Sequence, residues 1–304
     1  MNDIEQVPAT ISPPSTQTSS WVLGDTIEDV DKSAESLIFK RYRTATIFVF
    51  AILAIWEGFL GYLLITGAPM SQDDGRIIAM IAPFLIFTGA YLIIRNGIQE
   101  TFMKQFAVAN GLSYSQNGTP DNLQGALFNL GHSHSYKNLI TGAWDNNGIN
   151  LFNYSYKIGY GKEQTSYSCT IFEIQYPSPL PPILLIVDNQ YFGGITPIFG
   201  GWAKIKPEGN FDKTFDLYGK QGLEIETLEI FSPDFMLKML SDWPEFNLEF
   251  YDNQLIVFYN KTITTKAELQ KMYSLVQYLI TKIEPVALRM KGSLEAMESL
   301  NAGS

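Results

Sequence analysis

Two long apolar runs dominate the first third of the chain. Residues 45–65 and 77–94 span 21 and 18 positions, and Glu57 is the one charged side chain within them. At about 1.5 Å per residue, helices of these lengths approach the roughly 30 Å hydrocarbon core of a bilayer. The pattern predicts a two-helix transmembrane hairpin over residues 44–94, with a helical pair buried inside protein as the alternative.

Charged residues around the two runs predict an orientation. The connector carries Asp73 and Asp74 with Arg76 as its one base, whereas several bases flank the outer ends. Cytoplasmic loops of membrane proteins carry the excess of lysine and arginine, so both termini are expected in the cytoplasm and residues 1–43 as a disordered, juxtamembrane arm. The outer bases are Lys32, Lys40, Arg41, Arg43, Arg95 and Lys104.

Glu57 is unusual within a predicted membrane span, because placing a carboxyl group in the bilayer interior costs free energy. Small residues share its helical face, and Thr88 lies at a matching depth on the second run of an antiparallel hairpin. Stripes of small residues let membrane helices approach closely, which predicts a helix-pairing site. A protonated Glu57 bonded to Thr88 or to a carbonyl is one interpretation, and a proton or ion relay is the other. The predicted helix-pairing residues are Ala54, Glu57, Gly58, Gly61 and Thr88.

The second apolar run is expected to continue as a helix to Asn110, since Phe102, Phe106 and Ala109 repeat at helical spacing. Strand-like runs follow at 139–144, 149–156 and 166–176, and Asn147-Gly148 predicts a hairpin turn. Further strands are expected at 183–187, 211–217 and 223–228, and a second hairpin at Asp252-Asn253.

Two helices are predicted beyond these strands. Ser232-Pro233 supplies an N-cap and a first-turn proline, and Thr265 with Glu268 forms a capping box before an amphipathic stretch that Pro285 should end. The expected fold is α+β, a transmembrane hairpin followed by a mainly antiparallel sheet domain with amphipathic helices. That domain covers residues 95–304, with 95–188 and 203–304 as two possible lobes.

Composition narrows the class of partner. Asp and Glu number 31 against 21 Lys and Arg, a net charge of −10. This balance opposes phosphate binding, so no nucleic-acid partner is expected. The single cysteine, Cys169, excludes an intrachain disulfide and a multi-cysteine zinc site.

Candidate chemistry is sparse. The chain has two histidines, His132 and His134, and their spacing on a strand would place them on one face. Two ligands are nevertheless too few for a metal site. Gly159 to Lys162 lacks the full glycine and hydroxyl pattern of a phosphate loop, and nothing orders a serine with a histidine and Asp145 for acyl transfer. We therefore predict no catalytic residue, no cofactor and no metal.

Residues 190–202 interleave aromatic and aliphatic side chains with glycines. Apolar side chains on a mobile backbone suit an external surface, which makes this segment a candidate contact loop for a membrane or a partner, while a cover on the core is the alternative. Its candidate contact residues are Tyr191, Phe192, Ile195, Ile198, Phe199 and Trp202.

The order of features over residues 207–258 resembles an uncharacterised family of bacterial two-span membrane proteins with a cytoplasmic domain of unknown function. In that family an acidic residue, two phenylalanines and a tyrosine precede a helix that opens on Ser/Thr-Pro. The matching positions here are Glu208, Phe211, Phe215, Tyr218, Pro233, Phe235 and Met236. The resemblance implies bacterial origin, an inner-membrane location and an α+β domain, and it implies no catalytic residue.

These observations together predict a membrane-anchored scaffold or interaction protein without catalytic activity. Its partners would be the lipid bilayer and another membrane or cytoplasmic protein. The competing hypothesis is a subunit of a membrane enzyme or transporter that uses Glu57 or the pair His132 and His134.

Overall fold

The computed structural model describes residues 29, 51, 54–58, 61–62, 65, 73–144, 147–177, 179–187, 201–207 and 209–302. The described chain divides into two compact units. One holds a long helix, α1 (Asp73–Ala109), together with residues 263–270. The other runs from residue 110 to 262 and resumes at residue 271, and it carries all the described strands.

Nine strands form one sheet in the second unit, in the order β1-β2-β3-β4-β9-β8-β5-β7-β6, and every pairing is antiparallel. Strands from residues 113–187 and from residues 202–259 thus belong to the same sheet. Their bounds are β1 Ser113–Ser115, β2 His132–Trp144, β3 Asn147–Ile158, β4 Thr165–Gln175, β5 Ile183–Val187, β6 Trp202–Ile205, β7 Phe215–Lys220, β8 Phe246–Tyr251 and β9 Gln254–Tyr259.

The two faces of the sheet differ in what covers them. Phe172 of β4 lies on the face that helices cover, which we call the helix face, and Trp144 there stacks on Tyr273 at 5.0 Å. The opposite face carries Glu173, and segment 119–130 packs over it, so we call it the cavity face. Because side chains alternate along a strand, neighbours in sequence belong to different environments.

Within the described residues, three α-helices follow the first strands: α2 (Glu224–Ile230), α3 (Pro233–Asp242) and α4 (Lys266–Ala302). Thr227 of α2 sits so close to Gly219 of β7 that a Cβ on the glycine would lie 2.8 Å from its hydroxyl. Trp243, which follows α3, donates its ring N–H to Ser274 of α4 at 2.9 Å. These contacts tie the helices to the sheet and to one another.

The predicted transmembrane hairpin is wrong for the part of the chain that the structure describes, where no helix is both long and apolar enough to cross a membrane. The finding also overturns the predicted multi-pass inner-membrane location with cytoplasmic termini. The second apolar run is part of α1, which begins at Asp73 and continues to Ala109. Apolar composition shows that a segment is unfavourable in water. By itself it does not show that the segment crosses a membrane.

Local predictions met mixed outcomes. The β2–β3 and β8–β9 pairings, the start of α3 and the capping box of α4 are confirmed. The turn expected at Asn147-Gly148 is wrong, because both residues lie in β3 and Asn147 pairs with Trp144. The strand expected at 223–228 is wrong because those residues mostly lie in α2, and Pro285 lies inside α4 instead of ending it.

Candidate ligand-binding cavity

An open cavity of about 480 Å³ lies between residues 119–122 and the cavity face of the sheet. Its lining is mostly polar, and strands β2, β3 and β4 contribute to it together with residues 119–122. The lining residues are Thr119, Pro120, Asp121, Asn122, Leu139, Thr141, Gly142, Gly148, Ile149, Asn150 and Gln175. This volume lies in the range of pockets that hold small organic ligands, roughly 300–1,000 Å³.

A fully buried carboxylate supports two of the lining side chains. The amide nitrogen of Asn150 donates to Oε2 of Glu173 at 2.8 Å, and the amide nitrogen of Gln175 donates to Oε1 at 3.3 Å. Burial raises the pKa of Glu173, and the two hydrogen bonds lower it by less. Because each carboxylate oxygen accepts one amide, Glu173 fixes which end of each amide group faces away from it.

A second buried carboxylate anchors the segment that forms the cavity wall. Glu249 of β8 accepts the backbone N–H groups of Ala126 and Leu127, the latter at 3.3 Å. Burial raises its pKa to about 7 against the lowering effect of those two bonds. Gly125 lies so close that a Cβ there would come within 2.8 Å of the Glu249 carboxylate, and its φ of +131° suits glycine.

Gln254 of β9 holds the same segment nearer the cavity. Its amide nitrogen donates to the backbone carbonyl of Asn122 at 2.7 Å, and its carbonyl accepts the backbone N–H of Gln124 at 3.0 Å. Gln254 is nearly fully buried. The wall is therefore fixed by side chains that rise from the core of the sheet.

Strand register places these supports together. Glu173, Ile256 and Glu249 lie directly opposite one another on adjacent strands β4, β9 and β8. Residues paired in this way project from the same face, at about 4.8 Å per strand. The two buried carboxylates thus stand on the same face, with one isoleucine between them.

The histidines that the sequence singled out lie at the far end of β2, and each already has hydrogen-bond partners. Nε2 of His132 lies 2.8 Å from the carbonyl oxygen of Gly159, so that nitrogen carries the hydrogen. Nδ1 of His134 lies 2.6 Å from the hydroxyl of Tyr154. Ser133 between them has φ +57° and the strand register shifts there, which interrupts regular alternation.

The one thiol of the chain, which could also take part in chemistry, is buried as well. Cys169 is buried, and burial raises the pKa of its thiol well above the ordinary range. Across the described residues there is no cluster of three or more His, Cys, Asp or Glu side chains able to hold a metal ion.

The remaining sequence candidates stay predictions. Ala54, Glu57 and Gly58 are helical and exposed, Gly61 is half-buried, and Thr88 is an exposed residue of α1. Of the candidate contact loop, Tyr191, Phe192, Ile195, Ile198 and Phe199 lie outside the described residues. Trp202 is half-buried at the start of β6 and packs against the core of the cavity face.

The positions of this chain that carry the family resemblance mostly lie in the core. Phe211 and Phe215 stack at 4.8 Å, and Phe231 contacts both Phe211 and Phe235. Glu208 lies outside the described residues.

The sequence did not reveal the cavity or the two buried carboxylates, Glu173 and Glu249, that support its lining. A signal was present, since Glu173 and Glu249 each stand between apolar neighbours in the stretches TIFEIQ and NLEFY. A lone acid in a strand that is apolar on both sides points to a buried carboxylate with dedicated partners.

Comparison with known proteins gives little further guidance. No protein-family model and no curated protein matches the chain. Among solved structures, the crystal structure of the mycobacterial trehalose monomycolate transport factor A, TtfA, is similar over 60% of this chain and 94% of that chain, with 11% identity and a TM-score of 0.44. A likeness of that size carries no argument about function.

Proposed function

We propose that this chain is a binding protein without catalytic activity and that its ligand site is the cavity beside residues 119–122. The observation that carries the proposal is the pair of lining amides, Asn150 and Gln175, held by buried Glu173. Buried carboxylates with raised pKa values concentrate at functional sites, and concave pockets with a few fixed polar groups are the usual ligand sites.

The absence of catalysis is proposed because, in the part of the chain that the structure describes, the acids, thiol and histidines considered for chemistry are buried or hydrogen-bonded. Glu173 and Glu249 are buried and hydrogen-bonded, Cys169 is enclosed, and both histidine rings have partners. Among the described lining residues, amides and threonine hydroxyls offer hydrogen bonds, and exposed Asp121 is the one ionisable side chain. These groups can orient a ligand, and the described lining holds no histidine, cysteine or lysine to act with Asp121 as a nucleophile or proton carrier.

The test is a screen of small molecules of every charge against the full chain, followed by a variant that fills the cavity. An added Cβ at Gly148 would meet only Gln175, at 3.6 Å or more, so Gly148→Ala places a methyl group in the cavity without a clash. Gly97→Ala is the matched control, because an added Cβ there meets nothing within 4 Å.

Bound compounds should lose about tenfold in affinity with Gly148→Ala and keep it with Gly97→Ala. The proposal fails if no bound compound is sensitive to Gly148→Ala, or if a compound bound in the cavity is chemically converted.

A further inference from the structure

We infer that the cavity selects a small molecule that carries a protonated amine. The inference rests on the proposed binding function and adds the chemical class of the ligand. It follows from how the buried carboxylate turns the two lining amides and from the charges around the opening.

The buried carboxylate sets the direction of the two lining amide groups. A carboxylate only accepts hydrogen bonds, so Glu173 draws the nitrogen of each amide toward itself. In a planar amide the carbonyl oxygen stands at about 120° to the nitrogen and so turns away from the group that the nitrogen contacts. Asn150 and Gln175 line the cavity, and their oxygens are the ends left for a ligand. Two acceptors ask for a ligand with hydrogen-bond donors.

The lining carries a negative charge. Among the described lining residues Asp121 is the one ionisable side chain, and it is exposed. Lysine, arginine and histidine are missing from that lining, so an anionic ligand would meet Asp121 without a compensating cation. An ammonium group offers three donors and a positive charge, which match two carbonyl oxygens and a carboxylate.

Access to the amides is open beside Gly148. This glycine leaves backbone without a side chain on the wall next to Gln175, and a bare backbone lets a ligand approach closely. Leu139 adds apolar surface to the lining. The cavity therefore suits a compact molecule with a short carbon skeleton.

The experiment compares three probes of nearly equal size, each with a hydroxyl group: ethanolamine, ethylene glycol and glycolate. Side-chain amide signals of Asn150 and Gln175 are followed by ¹⁵N–¹H NMR on the full chain during titration. Ethanolamine should shift both signals in a saturable manner, ethylene glycol at least about tenfold more weakly, and glycolate not at all. Gly148→Ala should weaken the ethanolamine effect, and Gly97→Ala should not.

Glu173→Gln tests the role of the carboxylate as a positioning residue. The glutamine side chain has one oxygen that accepts and one NH₂ group that donates. Either Asn150 or Gln175 must therefore turn its oxygen toward the NH₂ group at position 173, which leaves its own nitrogen facing the cavity. Ethanolamine binding should fall about tenfold and glycolate binding should become measurable, a reversal of selectivity that a loss of stability alone would not produce.

The outcomes separate the two proposals. Cavity-dependent binding of glycolate or ethylene glycol at least as tight as that of ethanolamine overturns the ligand class and leaves the binding function standing. The class is also overturned if ethanolamine leaves both amide signals unchanged, or if Glu173→Gln weakens all probes equally. The proposed binding function itself fails when no compound of any charge responds to Gly148→Ala, or when a compound bound in the cavity is chemically converted.

Discussion

Replacing Glu249 with glutamine should change how the stability of the chain depends on pH. The carboxylate is fully buried on β8, and burial raises its pKa from the ordinary 4.5 to about 7 in the folded chain. In the unfolded chain it returns to water and to its ordinary pKa. Between these two values the folded state holds a proton that the unfolded state has released.

The sign follows from that difference in bound protons. Glu249 contributes its full stabilisation below about pH 4.5, and the contribution is lost as pH rises toward 7. At about 1.4 kcal/mol per pKa unit, the loss is roughly 3 kcal/mol. The free energy of unfolding should therefore fall by that order between about pH 4.5 and about pH 8 on account of this one group.

Glu249→Gln keeps the shape of the side chain and removes its titration. Urea unfolding of wild type and variant, followed by tryptophan fluorescence over a pH series, gives the difference in unfolding free energy at each pH. That difference should move by roughly 3 kcal/mol in favour of the variant from low to high pH. Glu173 also has a raised pKa and titrates in both proteins, so subtraction removes its effect.

Glu163→Gln supplies the control, since it makes the same chemical change at an exposed position. Its profile should run parallel to that of the wild type. Parallel profiles for Glu249→Gln as well would refute the argument, because they would mean that burial does not hold a proton on Glu249.

Three further predictions concern single positions. Gly125→Ala should cost at least about 2 kcal/mol of unfolding free energy in urea titrations, because the methyl group would collide with the carboxylate of Glu249 at a φ that favours glycine; a neutral result would mean that segment 119–127 moves freely. Cys169 should react with an aromatic disulfide reagent only on unfolding, since its thiol is buried with a raised pKa; rapid labelling of the native chain would contradict this. Glu268→Ala should cost about 1 kcal/mol in the same urea assay, because its carboxylate accepts the backbone N–H of Thr265 at 3.2 Å in the capping box; an unchanged midpoint would show that the cap is dispensable.

Local signals predicted well where one interaction decides the structure. The hairpin at Asp252-Asn253 follows from alternation on both sides of a turn that tolerates positive φ, and Asp252 indeed has φ +52°. The capping box at Thr265 and Glu268 likewise needs only residues three apart.

Signals failed where two structures fit the same short pattern. Residues 223–228 alternate apolar and polar side chains as a strand does, yet α2 buries Thr227 and Ile230 at helical spacing and leaves Ile225 81% exposed. Pro285 removes one helical hydrogen bond, but buried Ile283 and Val286 stand on either side of it, and α4 continues.

The candidate site was out of reach of the sequence for a different reason. Glu249 and Ala126 are separated by 123 positions in the chain, and their contact depends on the placement of segment 119–127 over strands far away in sequence. A buried acid can be suspected from its apolar neighbours, whereas the backbone groups that it serves follow only from tertiary structure.

The cost of these supports is itself an argument about the cavity. Enclosing a carboxylate is unfavourable unless its oxygens are satisfied, and apolar residues at Glu173 and Glu249 would serve sheet stability alone more simply. Each of the two instead holds a different part of one cavity. Glu173 fixes the lining amides of Asn150 and Gln175, and Glu249 fixes the wall segment through the backbone of Ala126 and Leu127. Local choices that oppose stability are expected where a site must be held in one geometry. On that argument the polar groups of the cavity are set in place before a ligand arrives, so binding should need little rearrangement of segment 119–127.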